Sequence, residues 1–222
     1  MKFSFENNDR IVFAGDSITD SNSTNPVGEG LFGNLGNGYV RLIEAMLFAY
    51  YPEINIRITN SGISGNTIRD LKGRWQRDVL DLEPQWVNIL IGANDVWRQM
   101  DMPAFPHACV LPDEYEKTLE EMLISLQGKV KGVTLMLPYY MENNLSDKMR
   151  AEIEKYDDIC RRLGEKYGCI IIDLQHMFDE YLNYHHSSFL AWDRIHPNMT
   201  ACVLIAREYL KAVGFDFDHK PL

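Results

Sequence analysis

The segment AGDSITD, near the start of the chain, carries a serine at a position where a hydroxyl can act as a nucleophile. Ser17 closely follows the apolar run 11–14, which predicts a buried strand, so it should lie at the carboxyl edge of a sheet, where α/β proteins bind ligands. Aspartate, serine and threonine are also the residues preferred at helix N-caps and in turns. By itself, the segment predicts a polar turn or a helix cap.

A second segment, AWDRIHPN near the other end of the chain, supplies the partners that a serine nucleophile requires. Asp193 and His196 are three residues apart, a spacing at which a carboxylate in a turn can reach the imidazole Nδ1–H. Such a contact fixes the tautomer and leaves Nε2 free to take a proton from a hydroxyl. The same spacing also suits a surface ion pair or a helix start, and Pro197 is typical of the first position of a helix.

Two further segments offer donors for the oxyanion that forms during acyl transfer. Gly65 in NSGISGNT can expose a backbone N–H, and Asn94 in GAND can offer a side-chain amide. Each segment is also an ordinary turn between a strand and a helix. Four of the five predicted strands are thus followed by a serine, a glycine turn, an asparagine or an Asp–His pair, and this coincidence predicts one site at one edge of a sheet.

The elements that must position these residues alternate along the chain. Short apolar runs predict strands at 11–14, 54–60, 86–92, 132–138 and 169–174, and longer amphipathic patterns predict helices at 39–51, 67–82, 113–127, 147–167 and 198–213. This alternation indicates βαβ units and a five-stranded, doubly wound parallel sheet. The run 54–60 alternates apolar and polar residues, which predicts a half-covered strand, and the stretches 21–38 and 92–112 are predicted to be irregular.

Composition and charge exclude several classes of protein. The 222 residues suit one globular domain, 1–222, which can bury a core without disulfides. A net charge of −10 repels phosphate backbones and anionic membrane surfaces, so neither nucleic acid nor a membrane is expected as a partner. The N-terminal segment lacks the apolar core of a signal peptide, and the four cysteines form no C-x-x-C pair. We therefore expect a cytoplasmic protein without a metal or cofactor.

Taken in order, these segments resemble the four sequence blocks of the SGNH (GDSL) hydrolases, and the resemblance covers nearly the whole chain. It implies a flavodoxin-like three-layer α/β/α sandwich. It also implies a catalytic triad with Ser17 as nucleophile, His196 as base and Asp193 as its orienting carboxylate. The implied oxyanion hole consists of the N–H of Ser17, the N–H of Gly65 and the side-chain amide of Asn94.

A finer resemblance connects PVGEG, LGNGYV, GISGNTIRDL, NDVWRQ and AWDRIHP with the intracellular bacterial acetylxylan esterases of this superfamily. It implies hydrolysis of acetyl esters on xylo-oligosaccharides by a homo-oligomer. The segment SNSTN, residues 21–25, departs from the pattern beside the site. The alternatives are a short-chain carboxylesterase or thioesterase acting on lipid-like acyl esters, and a binding module that has lost its chemistry.

Four aromatic residues that follow predicted strands or neighbour the triad are candidates for substrate contact: Trp97, Tyr139, Tyr140 and Trp192. Their rings are predicted either to form an apolar wall for an acetyl group and a platform for a sugar, or to pack in the core.

Overall fold

In a computed structural model that describes residues 3–220, the five apolar runs and one further short strand form one sheet of six strands, with helices on both sides. The strands are β1 (Arg10–Gly15), β2 (Gly28–Glu29), β3 (Arg57–Gly62), β4 (Trp86–Leu90), β5 (Gly132–Met136) and β6 (Ile170–Ile172). Their order across the sheet is β2–β3–β1–β4–β5–β6. The central strands β1 and β4 are almost wholly buried, as expected for parallel strands covered on both faces.

The helices of the described residues follow the strands in chain order. They are α1 (Ser17–Asp20), α2 (Tyr39–Tyr50), α3 (Ile68–Asp78), α4 (Ala93–Asp101), α5 (Pro112–Leu126), α6 (Lys148–Tyr167), α7 (Leu174–Leu182) and α8 (Met199–Ala212). Helices α2 and α8 pack against each other, while α5 packs against both α3 and α6. Among residues 3–220, no helix combines the length and the apolar composition needed to cross a lipid bilayer.

The prediction of a five-stranded, wholly parallel sheet was wrong by one strand. Strand β2 has two residues and pairs antiparallel with the edge strand β3, Gly28 opposite Asn60 and Glu29 opposite Thr59. A two-residue strand has no periodicity to detect, and its pairing depends on where the 21–38 loop lies. Glu29 anchors it through an ion pair with Arg57 at 2.6 Å. The other strand pairs are parallel, as predicted.

Two more predictions of local structure were wrong. Strand β3 is buried throughout except at Arg57, because Thr59 and Ser61, on the same face as Arg57, are covered by the protein as well. The stretch 92–112 is not irregular, since α4 begins directly after Gly92. Gly92 has φ +134°, a backbone conformation that favours glycine, and it lets the chain leave β4 and start a helix at once.

A buried carboxyl on one of the covering helices affects stability. Asp157 in α6 is 4% exposed, and its Oδ1 has no hydrogen-bond partner within residues 3–220. Burial, together with the negative charges of Asp173 and Glu154, raises the pKa of Asp157 from 3.8 to about 9. The folded protein therefore holds this proton at pH values where the unfolded chain has released it.

We expect Asp157→Asn to stabilise the protein increasingly as the pH rises from 5 to 8. In this interval the native wild type binds more protons than the unfolded chain, so its free energy of unfolding falls with rising pH, and asparagine removes that loss. The gain at pH 8 should exceed the gain at pH 5 by at least about 1 kcal/mol, measured by urea unfolding. Asp158→Asn, at the exposed neighbouring position, is the control. An unchanged pH slope in Asp157→Asn would contradict the prediction.

Candidate active site

Ser17 lies where β1 ends, as the first residue of the short helix α1. The side chain of Asp16 caps this helix by accepting a hydrogen bond from the Ile18 N–H at 3.0 Å. Gly15 is required at the end of β1, because a Cβ there would lie 2.5 Å from the carbonyl oxygen of Leu90. The chain therefore turns sharply off the strand and presents a partly exposed Ser17 at the carboxyl edge of the sheet.

The loop between α7 and α8 brings His196 to Ser17, 179 residues earlier in the chain. The Oγ of Ser17 lies 2.8 Å from Nε2 of His196, and Nδ1 of His196 lies 2.6 Å from Oδ2 of Asp193. The other carboxylate oxygen, Oδ1 of Asp193, accepts hydrogen bonds from the backbone N–H groups of Ile195 and His196 at 3.0 and 2.8 Å. The three predicted residues thus form one continuous chain of hydrogen bonds.

The contacts of Asp193 determine what this arrangement can do. Burial by itself raises the pKa of Asp193, but the hydrogen bonds from the His196 ring and from two backbone N–H groups outweigh it and lower the pKa below 3.8. Asp193 is therefore a carboxylate at neutral pH and can only accept a hydrogen bond. The proton of neutral His196 consequently lies on Nδ1, and Nε2 has a free lone pair directed at the Ser17 hydroxyl.

The predicted oxyanion donors meet at the same edge. Strand β1 pairs with β3 and β4 so that Gly15 lies opposite Gly62 and Leu90, and the turns that follow carry Gly65 and Asn94. Gly65 has φ +82°, and a Cβ there would meet nothing within 4 Å, so its backbone faces open space. Within residues 3–220, neither the Ser17 N–H nor the Gly65 N–H donates a hydrogen bond to another protein group.

The Asn94 amide is held in a defined orientation. Its Nδ2 donates to the backbone carbonyl of Asn66 at 3.0 Å. A carbonyl can only accept, so this contact identifies the amide nitrogen and leaves its second N–H available to a ligand. The turn that carries Gly65 and the helix that carries Asn94 are therefore fastened together.

Two buried carboxyls border the site beside predicted residues, although the sequence does not identify them as functional. Asp95 accepts from the Ile68 N–H at 3.0 Å and ties the start of α3 to α4; burial raises its pKa to about 8. Burial likewise raises the pKa of Asp16 to about 6, and its Oδ2 has no partner within residues 3–220. From the sequence alone, an aspartate adjacent to Ser17 or Asn94 predicts only a turn.

The four aromatic candidates lie in different environments. The ring of Trp97 lies 5.9 Å from the ring of His196, and Trp192 is 92% exposed. Tyr140 is half-buried, and its backbone N–H donates to Gln175. Tyr139 is fully buried and donates from its hydroxyl to the carbonyl of Ile195 at 2.9 Å, so its ring supports the His196 loop and has no face available to a substrate.

The divergent segment 21–25 is hydrogen-bonded to α1, the helix that begins with Ser17. Ser23 donates from its backbone N–H and its hydroxyl to Oδ1 of Asp20, both at 3.1 Å. The other oxygen, Oδ2 of Asp20, accepts from the hydroxyl of Ser64 at 2.6 Å. The segment therefore joins α1 to the turn that carries Gly65, while Asn22, Thr24 and Asn25 face solvent.

Comparison with known proteins agrees with this geometry. The model of the GDSL-like lipase/acylhydrolase family matches residues 13–201, which include Ser17, Gly65, Asn94, Asp193 and His196. The chain belongs to this family. Members of the GDSL family are hydrolases, and the matched residues extend from β1 to the start of α8.

Individual relatives in the GDSL family cover almost the whole chain. An acetylxylan esterase from Geobacillus stearothermophilus is 44% identical over 209 residues, which is 94% of this chain and 95% of the relative. The crystal structure of that enzyme, Axe2, has a TM-score of 0.94 at 43% identity, covering 96% of this chain and 97% of the other. LAE5, an alpha/beta hydrolase from the metagenome of Lake Arreo, also has a TM-score of 0.94, with 47% identity over 96% of this chain and 99% of its own.

Three solved catalytic mutants of Axe2 replace a serine, an aspartate and a histidine with alanine. In Axe2 the serine precedes the histidine by 179 residues, as Ser17 precedes His196 here. The aspartate of Axe2 precedes that histidine by three residues, as Asp193 does here. The spacing of the three residue types is therefore the same in the two proteins.

Proposed function

We propose that this protein is a serine esterase that removes acetyl groups from xylo-oligosaccharides or similar acetylated sugars through an acyl-enzyme. The observation that carries the proposal is the chain of hydrogen bonds from Ser17 Oγ through His196 to Asp193, at 2.8 and 2.6 Å. The acetyl-sugar substrate is supported by the similarity to an acetylxylan esterase over 94% of the chain. No metal or cofactor enters the proposed reaction.

In the first half-reaction, Nε2 of His196 takes the hydroxyl proton of Ser17 while Oγ attacks the carbonyl carbon of the acetyl ester. The carbonyl oxygen becomes an oxyanion, which accepts hydrogen bonds from the N–H groups of Ser17 and Gly65 and from Nδ2 of Asn94. The tetrahedral intermediate then collapses, and the bond between the carbonyl carbon and the sugar oxygen breaks. His196 protonates that oxygen, so the sugar leaves as an alcohol and Ser17 carries the acetyl group.

In the second half-reaction, His196 takes a proton from water as the water oxygen attacks the acetyl-serine carbonyl. The same donors hold the new oxyanion. Collapse releases acetate and returns the proton from His196 to Oγ of Ser17, which restores the enzyme. Throughout, Asp193 stays ionised and stabilises the imidazolium that forms twice in each turnover.

The surroundings of the triad fit a small acyl group attached to a polar leaving group. Trp97, beside His196, provides an apolar wall for the acetyl methyl group. A cavity of about 220 Å³ opens next to Gly65 and is lined by polar side chains that include Arg98 and Asp70, suited to sugar hydroxyls. Trp192 offers an exposed ring on which a further sugar can stack. Tyr140 lies on the segment next to it, where the Met141 N–H donates to the carbonyl of Arg194 at 2.9 Å.

A substrate series tests this proposal. We expect faster release of acetate from acetylated xylo-oligosaccharides than from other acetylated sugars, followed by NMR, and a steep fall in kcat/KM from acetyl to octanoyl nitrophenyl esters. The fall is expected because the wall at Trp97 and the polar cavity leave little apolar surface for a long acyl chain. A preference for octanoyl esters would instead indicate the alternative, a carboxylesterase or thioesterase that acts on lipid-like acyl groups.

The proposal extends to the state of the protein. We propose a single flavodoxin-like α/β/α domain, supported by the continuous buried core within residues 3–220. A cytoplasmic location is supported by the four cysteines, which are all free thiols, because thiols stay reduced in that compartment. A homo-oligomer is supported by the adjacent apolar side chains of Leu31 and Phe32, at 70% and 97% exposure. Light scattering of the purified protein measures the number of subunits.

A further inference from the structure

Arg74, on α3, is a buried cation next to the proposed oxyanion hole. Its side chain is 8% exposed, and its guanidinium donates hydrogen bonds to three different segments. Nη2 donates to the carbonyl of Gly15 at 3.0 Å, Nη1 to the hydroxyl of Ser61 at 2.9 Å, and Nε to Oδ1 of Asn66 at 2.7 Å. The buried carboxylate of Asp78, 3.4 Å away, supplies the opposite charge.

Two of these contacts, those to Gly15 and Asn66, are made to residues that lie close in the chain to proposed oxyanion donors. Gly15 precedes Ser17 by two residues, and Asn66 directly follows Gly65. The backbone carbonyl of Asn66 accepts the hydrogen bond that orients the Asn94 amide, at 3.0 Å. A single guanidinium is thus connected to all three donors, although it touches none of them itself.

We propose that Arg74 is a positioning residue for the oxyanion hole. It joins the end of β1 to the turn that carries Gly65 and, through Asn66, orients the amide of Asn94. This inference rests on the proposed esterase function. Arg74 has no part in binding the substrate, because its donors are directed at protein groups and its side chain is almost wholly covered.

The geometry explains why this position holds an arginine. The planar guanidinium presents five donors in a rigid fork, so it can bond three segments that approach from different directions. A lysine has one compact ammonium and cannot span them. Oxyanion donors act only when they lie about 2.7–3.1 Å from the oxygen they stabilise. A misplacement of about 1 Å can cost about 10²-fold in rate.

The test is a kinetic comparison of Arg74→Lys and Asn66→Ala with the wild type, using nitrophenyl acetate. Arg74→Lys keeps the charge but loses the fork. Asn66→Ala removes the anchor for Nε while keeping the backbone carbonyl that binds Asn94, and it leaves Arg74 in place. We expect kcat to fall about 10- to 100-fold in both variants. KM should change much less, because the substrate itself loses no contact.

A double-mutant cycle separates positioning from a general structural effect. Asn94→Ala alone should lower kcat by about 10²–10³-fold. If Arg74 acts partly through Asn94, Arg74→Lys combined with Asn94→Ala should lose clearly less than the product of the two single losses. Fully multiplicative losses would overturn the inference. If Arg74→Lys does not fold, the same cycle with Asn66→Ala decides.

Arg10→Lys is the control, because Arg10 lies at the opposite end of β1 from Ser17 and its largely buried guanidinium binds the carbonyl of Leu82 and the carboxylate of Glu29. It should lower the melting temperature without changing kcat by more than about twofold. An equal loss of kcat in Arg10→Lys, or unchanged kcat in both Arg74→Lys and Asn66→Ala, would overturn the role of Arg74 while leaving the esterase proposal intact. If the wild type failed to cleave acetyl esters, the proposed function would fall, and this role with it.

Discussion

Replacing Ser17 with alanine should abolish ester hydrolysis, lowering kcat by roughly 10⁶-fold, the order found when a hydrolase loses its nucleophile. The physical reason is that no other hydroxyl lies within hydrogen-bond distance of Nε2 of His196 among residues 3–220. The fold should be unaffected, because Ser17 is the first residue of α1 and Asp16 caps that helix. Steady-state kinetics with acetyl esters and a thermal melt measure the two effects.

Ser188→Ala is a matched control for this experiment. Ser188 also lies near a histidine, with its Oγ 3.0 Å from Nδ1 of His186, but within residues 3–220 no carboxylate hydrogen-bonds that ring. Its loss should leave activity within about twofold of the wild type. An organophosphate should label the wild type and the Ser188 variant at Ser17, detected by mass spectrometry, and should not label the Ser17 variant. Substantial turnover by a folded Ser17→Ala protein would refute the proposed mechanism.

Asp193→Asn should lower kcat by about 10⁴-fold, although the change alters only one side-chain group. Oδ1 of Asp193 accepts from two backbone N–H groups, so the amide oxygen of asparagine must take that place. The amide nitrogen then lies where Oδ2 was and donates to Nδ1 of His196. The ring must accept there, its proton moves to Nε2, and it can no longer take the proton of Ser17.

Asp147→Asn is the matched control for the change of tautomer. Oδ1 of Asp147 also accepts from the N–H groups two and three residues ahead, those of Met149 and Arg150, but among residues 3–220 no histidine hydrogen-bonds to it. We expect that variant to keep full activity. Nitrogen NMR of the His196 ring should show Nδ1 protonated in the wild type and Nε2 protonated in Asp193→Asn. Activity of Asp193→Asn within tenfold of the wild type would contradict the tautomer argument.

Much of the fold could be predicted because local patterns are sufficient for it. Strands β4 and β5 are short, mostly apolar runs, and α6 is capped at its C-terminus by Gly168, which has φ +68°. The helix prediction for 147–167 differs from the observed α6 by one residue. These features depend on periodicity and on glycine or proline at element ends, which are properties of neighbouring residues.

Local patterns failed where a distant segment determines the environment. Thr59 shares the polar face of its run with Asn55 and Arg57, which predicts an exposed position, yet it is buried because β2 pairs with β3 and places Glu29 opposite it. Strand β2 exists only because the 21–38 loop returns to the edge of β3. No window of sequence around these residues contains the partner that buries or pairs them.

The sequence by itself determined the residue types of the site, their order and the strands that they follow, because side-chain chemistry and periodicity are encoded along the chain. Only the tertiary structure decided that Ser17 Oγ and His196 Nε2 lie 2.8 Å apart. It also decided that Arg74 and Asn66 connect β1 to the Asn94 amide. The physical reason is distance. Hydrogen bonds act over about 3 Å, so contacts between residues 179 positions apart exist only after sheet register and loop packing bring the segments together.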